Sequence, residues 1–344
     1  MSLCFRPLQR VNCFWLGQAV PHRHDRRPNP RADKWGKTVQ TTIKHAVTFT
    51  GVGLHKGEPV RMTIGPADRD QGILFLRTDV IGRNPLVPAR WDLVKPSKLC
   101  TEIENDDGVG VSTIEHVMAA LAGCGIHNAL ISIDGPEAPI LDGSSRPFVA
   151  RILKAGLVEQ DAPVRCIEVL AAVEVREGEA WARLEPAKAL EIDFAIDFAD
   201  AAIGRQRKRL TLANGSFVRE LSDCRTFCRQ ADVETMQANG LALGGTYDNA
   251  VVFDGADVLS PGGLRRADEP VRHKILDAVG DLAVAGAPIL GRYVGNRAGH
   301  AMTNWLLRTL FATPGAWRYV ECDDAQREVL PGVGVHADEI PALV

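Results

Sequence analysis

The 344-residue chain carries 40 Lys and Arg against 43 Asp and Glu, a formal net charge of -3, with 45% hydrophobic and 24% charged residues. That balance belongs to a globular protein with a sizeable core, and it excludes a broad basic field for nucleic acid or an anionic membrane surface. No apolar run approaches the roughly 18 residues a membrane-spanning helix needs, while the length exceeds one comfortable core and predicts two domains.

Residues 1–37 hold eight Lys and Arg against two Asp, with "HRHDRRPNPR" at their centre and no amphipathic period. They read as a disordered extension, either a solvated tail or a start codon placed too far upstream; an Arg-rich transit peptide has the same composition. An N-terminal domain is expected over 38–161. Its first stretch, Thr38 to Thr63, alternates around Gly51, Gly53 and Gly57 as strand, tight turn and strand, a hairpin with His55 at its tip. "STIEHVMAALAGCGI" switches to helical spacing, "NALISIDG" to a strand, and "FVARILKAGL" back to helix. A C-terminal domain is expected over 162–322. It has strands in "IEVLAAVEVREGEAWARLEP" and "ALEIDFAIDF", a short helix at "SFVRELSDC" and an inserted helix and strand within about 228–262. "EPVRHKILDAVGDLAVAG" then predicts a long helix with Pro270 in its first turn, followed by a strand and a last helix at "AMTNWLLRTLFA". Residues 323–344 lack periodicity and read as a loose tail.

The eight cysteines are scattered; the CxxxC of Cys224 and Cys228 has no second pair, so reduced thiols in a cytoplasm are the simpler reading than a zinc knot. Chemistry is concentrated elsewhere. On the long helix His273, Asp277 and Asp281 fall four apart, on one face, and an imidazole and a carboxylate at that spacing can chelate a divalent ion. A solvated polar face has the same spacing. Glu115-His116 puts an acid beside a potential ligand, as a metal hydrolase requires of its base. Ser112 and Glu115 equally fit a capping box, in which the Glu only reaches back to a backbone N–H. His300 in "AGHAMTN" and Thr226 in "RTF" have ordinary readings as surface and turn residues.

Taken together and in order, "GVGLHKG", "STIEHVMAALAGCGIHN", "PILDGSSRPFV", "SDCRTF", "GLALGGTYDNAVV", "VRHKILDAVGDL" and "GHAMTNWLL" resemble the LpxC family of UDP-3-O-acyl-N-acetylglucosamine deacetylases. The likeness runs from about Thr38 to about Tyr319. It implies an α+β fold of two similar domains, each a β-sheet packed on two helices, with the helices meeting in a β-α-α-β sandwich and the active site at their junction. It also implies a Zn²⁺ held by His116, His273 and Asp277, three protein ligands that leave a fourth position open. Glu115 is then the base and His300 the acid, oriented by Asp281. Thr226 is the oxyanion donor and Lys274 a cation for the substrate's carbonyl or diphosphate. Val233, Ala242, Thr246, Tyr247 and Val252 match the lining of the family's acyl-chain passage, with Phe227 beside the sugar or uracil and His55 closing the cleft. The implied partner is a small molecule, an acylated UDP-amino sugar, handled by a monomer in the bacterial cytoplasm. Cys228, Arg229 and Gln230 depart from the glycine and apolar residues of relatives, which leaves acyl-chain preference open. Ala180 stands where some relatives carry a lysine. A catalytically dead binder of the same sugar, or an amidase of altered substrate, are the competing readings.

Overall fold

A computed structural model of the chain describes residues 39–97 and 99–342; the basic extension lies outside the described residues. The first half runs β1 (Val39–Ile43), β2 (Val47–Val52), β3 (Pro59–Gly65), β4 (Ile73–Arg77) and β5 (Leu86–Pro88). A small sheet of β6 (Val94–Lys95), β7 (Glu102–Glu104) and β8 (Gly110–Val111) precedes α1 (Glu115–Gly123), β9 (Ala129–Ile133), α2 (Arg146–Ala155) and β10 (Leu157–Pro163). Strands β2-β3-β9-β4-β5 form one sheet, with β9 parallel to β4 and antiparallel to β3. The period-2 pattern turns Val60, Met62 and Ile64 of β3 and Ala129, Ile131 and Ile133 of β9 into the core.

The second half runs β11 (Arg165–Val169), β12 (Val173–Glu177), β13 (Ala180–Glu185), β14 (Leu190–Asp197), β15 (Arg205–Thr211), α3 (Ser216–Glu220), β16 (Phe227–Arg229), α4 (Gln230–Ala238), β17 (Val251–Asp254) and β18 (Asp257–Val258). It closes with α5 (Glu269–Ala283), β19 (Ile289–Asn296), α6 (His300–Ala312), β20 (Trp317–Glu321) and α7 (Asp324–Arg327). Its main sheet is built around β19, which pairs with β11, β13 and β14.

The helices lie between the two sheets. Phe148 of α2 packs on Phe49 of β2 with ring centroids 4.9 Å apart. On the other side α5 contacts β14 and β15, and α6 contacts β12 and β13. The layers meet where α1 crosses α5, and the sequence allows that crossing because residue 280 is Gly: a Cβ there would overlap the Glu115 carbonyl. Gly123 serves α1 in the same way, leaving room for the Phe217 ring. The order is sheet, helices, helices, sheet, the expected α+β sandwich. The segment expected as an insertion holds β16, α4, β17 and β18, with a parallel β16/β17 pair joined over α4.

Four expectations need correction. The hairpin is confined to β2 and β3, because the chain breaks at 44–46 and β1 pairs with β10 instead. Residues 205–211 form an unforeseen edge strand: its Arg207, Lys208 and Arg209 carry no apolar alternation and are held by ion pairs to Asp193, Asp268 and Glu191. Residues 317–321, likewise unforeseen, form β20, antiparallel to β11. Finally, residues 323–342 are packed rather than loose. Asp323 and Gln326 make a reciprocal capping box, Leu330 is buried, and Gly332 lies so close to Gly125 that a Cβ would overlap its backbone. Among the described residues no helix is long and apolar enough to cross a membrane.

Candidate active site

The first turn of α1 and the middle of α5 face each other across the Gly280 crossing. That register brings together the three residues expected to hold a metal. His116, His273 and Asp277 are buried, and one potential ligand atom from each lies within 4.8 Å of the other two. His273 Nε2 is 3.2 Å and His116 Nε2 3.7 Å from Asp277 Oδ1, with the two imidazoles nearly perpendicular. His273 Nδ1 is 3.0 Å from the Cys224 carbonyl. A carbonyl only accepts, so Nδ1 carries a proton and Nε2 is the nitrogen left facing Asp277.

Asp277 Oδ1 is buried and has no hydrogen-bond partner among the described residues. Such an orphan costs free energy unless something binds it. The donor set of two imidazoles and one carboxylate suits Zn²⁺ with an open position. The residues therefore fit the ion. Oδ2 of the same carboxylate receives Lys274 Nζ at 2.7 Å. Burial alone would raise Asp277, but His273, Lys274 and the His116 contact outweigh it and hold the acid well below the usual carboxylate range. Burial would likewise depress Lys274, and the carboxylates of Asp277, Asp281 and Glu115 reverse that.

Around this cluster stand the candidate acid and base. Glu115 is buried, and burial pushes its carboxyl up against the opposing charges of His300 and His116. Its Oε2 accepts the Thr101 N–H at 3.0 Å, and Ser112 Oγ instead donates to the Pro136 carbonyl at 3.3 Å. No side chain caps α1, so the capping-box reading of Ser112 and Glu115 is overturned: the chain passes Ser112 at a bridge to Glu137, too early to face the helix start. His300, the first residue of α6, places Nδ1 3.0 Å from both oxygens of Asp281, and its Nε2 is 3.9 Å from Asp277 Oδ2. Burial would lower His300, but Asp281 and Glu115 carry it up to about 9. Thr101 Oγ1 donates to Asp281 Oδ1 at 2.6 Å. Thr101 thus touches both Glu115 and Asp281; it lies in an irregular stretch before β7, and no pattern in the sequence marked it.

The Cys224–Phe227 segment is pinned beside His273. Glu269, fully buried at the start of α5, accepts from the Arg225 backbone and guanidinium at 2.9 Å each. Thr226 donates its N–H to the Gly143 carbonyl at 2.8 Å, and the Phe227 ring stands edge-on to His273 with centroids 6.4 Å apart. Phe198 and Phe253 pack on the same ring.

The remaining expected contacts lie farther out. Val252, buried, is in register with Cys228 across β16 and β17, and Ala242 is buried with φ of 53°. Val233 is partly buried on α4, whereas Thr246 and Tyr247 are exposed, the Tyr247 hydroxyl reaching Gln230 at 3.3 Å. None of these five has a hydrogen bond or ring contact with the histidine–aspartate cluster among the described residues. His55 sits in the turn between β2 and β3, which docks on the insert through Leu243 N to His55 O at 3.1 Å.

A sequence model of the UDP-3-O-acyl N-acetylglycosamine deacetylases matches residues 40–312, the stretch that contains every residue of this cluster. The chain belongs to the LpxC family. A relative named UDP-3-O-acyl-N-acetylglucosamine deacetylase in Phenylobacterium zucineum (strain HLK1) is 50% identical over 279 residues, covering 81% of this chain and 95% of the relative. Proteins of the same name in Shewanella sp. (strain ANA-3) and Shewanella baltica (strain OS155) are 45% and 44% identical, each over 87% of this chain and 99% of the relative. The LpxC likeness thus spans both sheets and the helix pair between them.

Proposed function

We propose that this protein removes the acetyl group from a UDP-3-O-acyl-N-acetylglucosamine by zinc-dependent hydrolysis, giving acetate and the free amine for lipid A synthesis in a bacterial cytoplasm, and that it acts as a monomer. The names of its relatives supply the substrate. The observation that carries the mechanism is the buried, unpartnered Asp277 Oδ1 between two imidazoles.

His116, His273 and Asp277 hold the ion in this reading. When bound, Zn²⁺ supplies Lewis acidity, which lowers the pKa of water and polarises a carbonyl. Glu115 takes the proton of the water that attacks the acetamide; burial raises its basicity for that task. As the carbonyl becomes tetrahedral, the Thr226 hydroxyl donates to the oxyanion, a contact of a kind worth about 3 kcal/mol. His300 protonates the departing amine, a contribution of about 10² to 10⁴ in rate. Asp281 orients that imidazole, and Lys274 turns from Asp277 toward the substrate's carbonyl or diphosphate.

Phe227 packs beside the sugar or uracil. The acyl chain lies along the insert, against Val233, Ala242, Thr246, Tyr247 and Val252, and His55 closes the cleft. The test is acetate release from the UDP-linked 3-O-acyl sugar with and without a chelator. Turnover that stops on chelation and returns with Zn²⁺ supports the reading; turnover indifferent to metal contradicts it.

A further inference from the structure

We propose that Glu137 is a positioning residue for this reaction, tying the His55 imidazole to the start of the catalytic helix α1. The inference rests on the reading that His55 meets substrate. Glu137 is 2% exposed, in the turn after β9. Its Oε1 accepts the His55 N–H at 2.8 Å and the Thr113 hydroxyl at 2.9 Å, and its Oε2 accepts the Lys56 N–H at 3.0 Å. One carboxylate thereby joins the β2–β3 turn to a residue two positions before Glu115. The sequence makes room for it at Gly53, where a Cβ would overlap Oε2. Thr113 pays with a backbone φ of 56°, a conformation a β-branched residue adopts only under constraint.

The other side of the same turn is held by the insert, through Leu243 N to His55 O at 3.1 Å and Gly244 N to Leu54 O at 3.0 Å. Between these clamps the His55 ring is buried with neither Nδ1 nor Nε2 partnered among the described residues. An imidazole offers one donor and one acceptor, and unpaired buried nitrogens favour turning out to water. A fixed backbone sets where the ring enters the cleft, and there a hydroxyl or carbonyl of the sugar nucleotide can satisfy it. Glu137 supplies the fixing bonds from the α1 side, so the ring and the catalytic base keep a constant spacing.

The experiment is a double-mutant cycle between Glu137→Gln and His55→Ala, read as kcat and KM for acetate release, with zinc content and Tm measured on each protein. The glutamine keeps the shape and the bonds at Oε1 but sets an NH₂ against the Lys56 N–H. The expected result is a rise in KM of about tenfold for each single variant, kcat within about twofold, one zinc per chain throughout, and a double variant no worse than either single. Effects that multiply independently, or an unchanged KM in Glu137→Gln beside a raised KM in His55→Ala, overturn the proposal while leaving the assigned function standing. A His55→Ala protein with normal KM overturns it too, by removing the contact it rests on. A wild-type protein with no acetate release refutes the assigned function itself. Should Glu137→Gln fail to fold, Thr113→Val removes one bond from the same carboxylate, and additivity of that variant with His55→Ala overturns the proposal equally.

Discussion

Asp277 and Glu115 are both buried carboxylates, yet their surroundings drive them in opposite directions. Two imidazoles and Lys274 keep Asp277 ionised, which suits a ligand, whereas burial leaves Glu115 a stronger base. Glu115→Gln is therefore expected to keep metal near one equivalent by atomic absorption and to lose about 10² to 10⁴ in kcat. Normal turnover in that variant would leave Glu115 a purely structural group. Away from the site, His127 makes a pH prediction. The Thr41 backbone N–H donates to its Nδ1 at 3.1 Å, so the ring must be neutral there, and burial brings it down to about 4. Below its unfolded pKa of about 6.5 the unfolded chain takes up a proton that the fold refuses. Its contribution is complete above that pH and erodes as the pH falls toward 4, by at most about 3 kcal/mol for a shift from 6.5 to about 4. Denaturant melts of wild type and His127→Gln at pH 7 and pH 4.5 isolate this term, since the carboxylates common to both proteins cancel. A difference independent of pH would refute it.

At the scale of elements, the α1–α5 crossing governs the site more than any single ligand. Gly280→Ala sets a methyl group against the Glu115 carbonyl and is expected to cost about 1–3 kcal/mol. It should weaken zinc binding as His116 is pushed from His273 and Asp277, whereas unaltered zinc affinity would show that the crossing is looser than described. Glu269→Ala leaves the buried Arg225 guanidinium without its carboxylate and should lower stability by about 3–5 kcal/mol in a denaturant melt. These relations also mark what was legible beforehand. The long helix, the Glu115-His116 helix and the β2–β3 hairpin follow apolar periodicity, which burial enforces, so the sequence announces them. Strand β15 does not, because its outward Arg and Lys side chains are stabilised by ion pairs that leave no hydropathic trace. Residue spacing alone left Glu115 divided between capping and catalysis. Thr101, a partner 14 positions earlier that only the folded chain reveals, takes its carboxylate out of the capping role. The candidacy of Asp277 as a ligand was visible as spacing on a helix face, but its unpartnered oxygen was not, since orphaning depends on what every neighbour does.

For the whole molecule, residues 323–342 bind distant parts together. Glu339 pairs with Arg219 at 2.8 Å, and the Pro341 carbonyl accepts from Arg146 of α2 at 2.8 Å. The central claim is that one zinc ion draws ligands from both halves of the chain. Its most direct test is metal content measured together with acetate release for wild type, His116→Ala and His273→Ala. The account predicts one zinc and full turnover in the wild type, with both lost together in each variant. A variant that retains wild-type turnover without zinc would contradict it.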